Sequence, residues 1–263
     1  MRRMLRLHRI FVKQHMKNLM EYKVDFLTGA ISFLLGQIVQ IAFIGIIFSQ
    51  IPTLDGWSFD EILFIYGFSL IPKGIDHLLF DNLWSVGYFI VRKGDFDKYL
   101  TRPINSLFYV ISEKFCVDAF GELAMGIILI AYSLFGLDIN FYWYTIPLFV
   151  AAVVFATLIY TAIKIATSAI AFWTKASGHI THMFYMTNDF SKYPTDIYNR
   201  FVRGFITYVI PFAFTAFYPA SYFLTGEDML FCIGGTVIAS ILLLTVSIMI
   251  WNRGIKAYES AGS

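Results

Sequence analysis

Eight ionisable side chains stand where an apolar chain can least accommodate them. Lys73, Asp76, His77 and Asp81 interrupt one long apolar segment, and Glu113, Lys114, Asp118 and Glu122 interrupt the next. Charge at membrane depth is costly unless it is paired or hydrated. Two chemistries are open to such a set. Opposite charges can stitch neighbouring segments together, or carboxylates around an imidazole can pass protons. A short connection joins the two segments, which makes them antiparallel neighbours. Folding the chain about the middle of that connection sets Lys73 level with Glu122, Asp81 level with Lys114, and Asp76 near Asp118 beside His77. We read the set as stitching in the cytosolic half of a helical hairpin. A proton or substrate pathway, and a hairpin that projects into the cytosol, are the rival readings.

The connection itself is Arg92-Lys93-Gly94-Asp95-Phe96-Asp97-Lys98-Tyr99-Leu100-Thr101-Arg102-Pro103, in which six of twelve residues are charged. In a chain this apolar it must lie outside the hydrocarbon, and residues 91–103 are read as a cytosolic loop. An ordinary solvated turn is the plain alternative.

Other chemistry is sparse. No G-x-x-x-x-G-K-[ST] run exists to cradle nucleotide phosphates, and neither H-E-x-x-H nor G-x-S-x-G occurs. His179 and His182 are three apart, with Asp189 further on, and read as solvated loop histidines; no metal site is expected. Cys116 and Cys232 both fall in apolar segments and read as reduced core residues. The chain is not expected to be an enzyme and carries no cofactor of its own.

The elements that must position these groups are helices in a membrane. The chain is 58% hydrophobic and only 14% charged, whereas a soluble domain carries about a quarter charged residues. With apolar runs near twenty residues, this composition predicts an all-α polytopic membrane protein of one domain. The net charge of +2 gives no reason to expect nucleic acid as a partner, because the charges are segregated by loop.

Six transmembrane helices are predicted: about 26–48, 62–90, 104–137, 144–173, 205–223 and 229–251. Before them, residues 1–22 alternate basic and apolar side chains and read as an interfacial helix on membrane lipid, not a cleavable signal. Gln37 and Gln40 share a face of the first span, turned to protein. Residues 174–204 read as a second cytosolic loop. Pro211 and Pro219 break the fifth segment, so that 205–228 forms a kinked or re-entrant span and an outer turn. The loops near 51–61, 136–143 and 224–228 hold six acids and no Lys or Arg. By the positive-inside rule, the opposite loops and both termini are cytosolic.

Taken with Tyr193-Pro194-Thr195-Asp196-Ile197-Tyr198 and Ile210-Pro211-Phe212-Ala213-Phe214…Tyr218-Pro219-Ala220, the loop motif Gly-Asp-Phe-Asp-x-Tyr-Leu-x-Arg-Pro resembles a known family. The whole chain is similar to permease subunits of bacterial ABC-type exporters of the second class. The resemblance implies a multi-pass protein of the bacterial plasma membrane, two permeases (identical or homologous) and a separate ABC-type ATPase dimer that holds the ATP and Mg. It further implies that Gly94, Asp95, Phe96, Asp97, Tyr99, Leu100, Arg102 and Pro103 form the coupling element. In that role Phe96 and Leu100 would plug an apolar ATPase pocket, Asp95 and Asp97 would meet basic side chains, and Pro103 would end the helix. The expected activity is export of a hydrophobic or amphipathic compound by alternating access. The alternative is a proton-coupled secondary transporter built on Asp76, His77 and Asp118.

Overall fold

The computed structural model describes residues 23–137, 139, 142–226 and 228–260; the expected interfacial helix over 1–22 lies outside them. Helix α1 covers Lys23–Gln50. Helix α2, Phe59–Phe80, begins with a reciprocal cap: Ser58 Oγ accepts the Glu61 N–H, and the Glu61 carboxylate accepts the Ser58 N–H at 2.7 Å. An acid of the first short loop is thus a helix start. After Asp81 the chain stays helical through α3 (Asn82–Ser85) and a π turn at Val86–Ile90, so the long run to residue 90 is present.

The connection then folds as a turn, α4 (Asp97–Leu100) and α5 (Ser106–Glu113), with Asn105 Oδ1 capping the Phe108 N–H at 3.1 Å. The predicted continuous span 104–137 is two elements. Lys114 is extended (φ −131°), and α6 (Ala119–Gly136) starts afresh after a turn. Glu113, Lys114 and Asp118 therefore belong to the connection, while Glu122 lies in the first turn of α6, which alone is long enough to cross. Helix α7 is Thr145–Ala169 and continues as α8, Ala171–Thr174, ending at Lys175 with φ +67°. Helices α9 (Gly178–Met186), α10 (Arg200–Gly204) and α11 (Phe217–Thr225) are short, and α12 (Gly235–Ala257) is the last long one.

Among the described residues, five helical stretches are long and apolar enough to cross a membrane: Ile31–Gln50, Phe59–Phe80, Ala119–Gly136, Thr145–Thr174 and Leu230–Ala257. Their burial is unequal: 67% of the α2 window is inside the protein against 6% of the α1 window, which makes α2 the axis and α1 the periphery. The fifth predicted span, 205–223, is not one helix. A π turn at Phe205–Val209 ends in an inverse γ-turn centred on Pro211 (φ −73°, ψ 50°), with the Phe212 N–H donating to the Ile210 carbonyl at 2.6 Å. A 3-10 turn, Phe212–Thr215, follows before α11. Pro219 does not break α11, because it lies in the first turn, where a helix needs no N–H. Irregular backbone is tolerable in a membrane only inside protein, and Phe212, Ala213, Thr215 and Ala216 are fully buried. Thr236 Oγ1 reaches in to the Phe214 carbonyl at 3.2 Å.

Two helices approach until their backbones touch. A Cβ on Gly126 of α6 would sit 2.9 Å from the Gly67 carbonyl oxygen of α2, and one on Gly67 would sit 2.9 Å from Leu129 Cβ. Only hydrogen fits at either place. Gly126→Leu is expected to force α2 and α6 apart at a cost of about 1–3 kcal/mol; thermal unfolding of the detergent-purified protein should show the loss, and an unchanged midpoint contradicts the packing described.

Candidate functional site

At the centre lies Lys164, the one charged residue of α7 and 1% exposed. Its Nζ is 2.7 Å from Asp76 Oδ2 and 3.2 Å from Asp81 Oδ1, both from the far half of α2. Asp76 is saturated: Thr161 donates to Oδ1 at 2.9 Å and the Tyr185 hydroxyl to Oδ2 at 2.7 Å. Thr161 and Lys164 are three apart and share a face of α7. The rings of Tyr185 and Trp84 lie 5.3 and 6.0 Å from the ammonium and complete its shell. Beside this group, Lys73 pairs with Glu122 at 3.4 Å, and His77 faces two carboxylates, Glu122 across 3.6 Å from Nδ1 and Asp118 across 3.7 Å from Nε2. The groups share a cavity of about 220 Å³ lined by Lys73, Asp76, His77, Asp81, Trp84, Glu122, Lys164 and Tyr185.

Of the expected pairs, Lys73 with Glu122 is found. Asp81 does not meet Lys114: it goes to Lys164, while Lys114 is exposed at the break after α5. Asp76 takes Lys164 as its partner, and Asp118 faces His77. Glu113 serves the connection, accepting from Lys98 Nζ at 2.9 Å and from the Tyr99 hydroxyl. The residue missed from sequence is Lys164. Its signal was available, since a lone cation in an uncharged span requires a buried anion.

The charged connection is held from several sides. Gly94 turns at φ +79°, a conformation that L side chains rarely adopt. Phe96 is 0% exposed, with ring centroids of Phe172, Tyr258 and Trp251 at 4.7, 5.3 and 6.0 Å. The side chain expected to face a partner therefore points into its own protein. Leu100, 43% exposed, does face outward, along with Arg92, Lys93, Asp95, Lys98, Arg102 and Pro103. Tyr99 is buried, and its phenol is pushed well up from the ordinary range, by burial first and then by Glu113. The segment after α12 closes the clamp. Tyr258 donates to the Gly94 carbonyl at 3.4 Å, and Ser260 to Asp97 Oδ2 at 2.6 Å.

Residues 174–204 are not a free loop. Ser177 N–H donates to the Gly87 carbonyl at 2.9 Å, Tyr185 reaches Asp76, and Tyr160 donates to Asn188 at 2.5 Å. The Gln40 amide then meets Tyr193 at 2.6 Å, and Gln37 accepts from Tyr66, which is the inward face expected for the two glutamines. Gln40 is ten residues before the end of α1 at Gln50, about 15 Å along a helix. The stretch expected at the surface thus climbs beside the spans. His179 and His182 are exposed, against the rings of Tyr88 and Trp84.

Among the described residues, five apolar helices packed around a cluster of ion pairs define an integral, multi-pass membrane protein. Residues 34–262 match the model of the ABC-2 family transporter proteins, so the chain belongs to that family and is a membrane component, a permease, of an ABC transporter. No match is found among curated proteins or among solved structures.

Two outcomes test this geometry. Lys164→Met leaves the buried Asp76 carboxylate without its cation, beside the half-buried Asp81, and should cost about 3–5 kcal/mol; adding Asp76→Asn should recover at least about 1 kcal/mol, and strictly additive losses in thermal unfolding contradict the pair. Phe96→Ala should cost about 3–5 kcal/mol by opening a cavity, whereas Leu100→Ala should leave the unfolding midpoint unmoved.

Proposed function

We propose that this permease is the membrane half of an ATP-driven exporter in the bacterial plasma membrane, moved by a separate ABC ATPase dimer and working with a second permease, identical or homologous. The family implies association with an ABC ATPase, and the sequence holds no phosphate-cradling loop of its own. The observation that carries the reading is a charged surface on a rigid mount. Asp95, Leu100, Arg102 and Pro103 face outward while Phe96, Tyr99 and Gly94 fasten the same dozen residues to α8, α12 and α5. A docking element that transmits force needs both properties. A floppy loop would absorb the ATPase stroke, whereas this one passes it to α2 and α7 through Asp81 and Lys164.

The basic loops place the coupling element and both termini in the cytosol. The broken 200–225 stretch then serves as the fifth of six crossings in chain order, with α11 at the outer side. Nucleotide binding on the partner draws the ATPase dimer closed, and the permeases rock to open a path outward for a hydrophobic or amphipathic compound. On α1, Leu35, Val39, Phe43 and Ile46 form an exposed apolar face suited to lipid or to the second permease. The proton-coupled alternative has less support, because Asp76 already has a cation and two hydroxyls on it.

Asp95→Lys combined with Leu100→Asp changes only outward side chains. Insertion and thermal stability should be retained, while transport by the complex with its ATPase falls on the order of tenfold, about 1.4 kcal/mol of docking energy. Wild-type transport by that double variant rules the coupling role out.

A further inference from the structure

We propose that His77, Asp81 and Cys116 form a zinc-class metal site that locks the α5–α6 break against α2. The three donate nitrogen, oxygen and sulfur atoms that all lie within 4.8 Å of one another. They come from two places the fold brings together. His77 and Asp81 are four apart near the end of α2 and share a face. Cys116 lies in the break between α5 and α6, where its N–H donates to the Leu78 carbonyl at 3.2 Å and sets the thiol over that face.

The orientation of each donor suits a metal. Asp81 divides its oxygens, Oδ1 going to Lys164 at 3.2 Å and Oδ2 facing Cys116 Sγ at 3.5 Å. The His77 ring presents Nδ1 to Glu122 and Nε2 to the side of Asp118. A metal on Nε2 fixes the proton on Nδ1, and Glu122 becomes the carboxylate that orients the imidazole, as outer-shell carboxylates do at zinc sites. An independent observation points the same way. Glu122 is 4% exposed, and its Oε2, the oxygen turned to Nδ1, is buried without a hydrogen-bond partner. Such an oxygen needs a fixed donor, and metal on the opposite nitrogen supplies one.

Charge agrees. Asp76 and Asp81 face Lys164, Glu122 faces Lys73 and His77, and Asp118 faces His77, so carboxylates outnumber ammonium groups around the site, a surplus that a bound cation offsets. A set of one nitrogen, one thiolate and one carboxylate oxygen selects zinc over magnesium or calcium, and the fourth tetrahedral position is left for water or for Asp118, which is half exposed at the rim. Binding releases the Cys116 proton to solvent. The bound site ties the α5–α6 break to the same α2 turn that carries the Lys164 pairs, and so stiffens the path from the coupling loop.

Cobalt is the probe. Full-length protein, stripped with chelator and titrated with Co²⁺ alone, should bind one equivalent per chain and show the near-ultraviolet charge-transfer band of a cobalt–thiolate bond. Cys232→Ser should keep that band and Cys116→Ser should lose it. His77→Ala should weaken binding on the order of 10-fold or more, with folding of each variant checked by its elution profile. Zn²⁺ should displace Co²⁺ and raise the unfolding midpoint of the wild type but not of Cys116→Ser. A band that survives Cys116→Ser, or no cobalt bound by well-folded wild type, overturns the site.

Discussion

The fold depends on one buried ammonium. Lys164 cannot be withdrawn from water without anions at contact distance, and Asp76 and Asp81 cannot be withdrawn without it. This mutual need fixes the rotation of α7 about its axis and the register of α2 against it, which apolar packing alone leaves soft in lipid. The hydroxyls of Thr161 and Tyr185 complete Asp76, so the stretch after α8 is drawn in to the same point. Three parts of the chain far apart in sequence thereby share one electrostatic centre.

Packing elsewhere is consistent with that centre. The contact of Gly67 with Gly126 lets α6 lie close enough to α2 for Glu122 to reach Lys73 and His77. Toward the charged connection at residues 91–103, aromatic rings take over from charges. Phe96 sits among Phe172, Trp251 and Tyr258, so the connection is anchored by apolar area. The change of currency is physical: ion pairs hold well in a low dielectric and poorly in water, whereas aromatic burial needs water nearby to drive it.

Much of this was legible in the residues. Long apolar runs marked four of the five apolar helices closely, because hydrophobicity over some twenty positions is a strong signal. The facing of Gln37 and Gln40 and the pairing of Lys73 with Glu122 followed from helical geometry. What failed did so for identifiable reasons. A hairpin folded on paper has no third helix, so Asp81 was assigned to Lys114 when α7 held the better cation. The span 104–137 was read as continuous because no proline or glycine marks Lys114, where an extended residue ends α5. Residues 174–204 read as surface because they are polar. Their tyrosines and asparagine are polar for another reason, as partners for Asp76, Tyr160 and Gln40. Phe96 was turned outward because a motif gives spacing but not the direction of the core.

The hydrogen bonds from Tyr258 and Ser260 to the loop at Gly94 and Asp97 carry a mechanical consequence. Any load on that surface is divided at once between α2, which leads into it, and α12, whose following segment is bonded to it. Force spread in this way tilts a bundle as a body instead of bending one member. A fluorescent protein or affinity tag fused directly after this segment would hang its own weight on the linkage, so reporters are better attached through a long, compliant spacer.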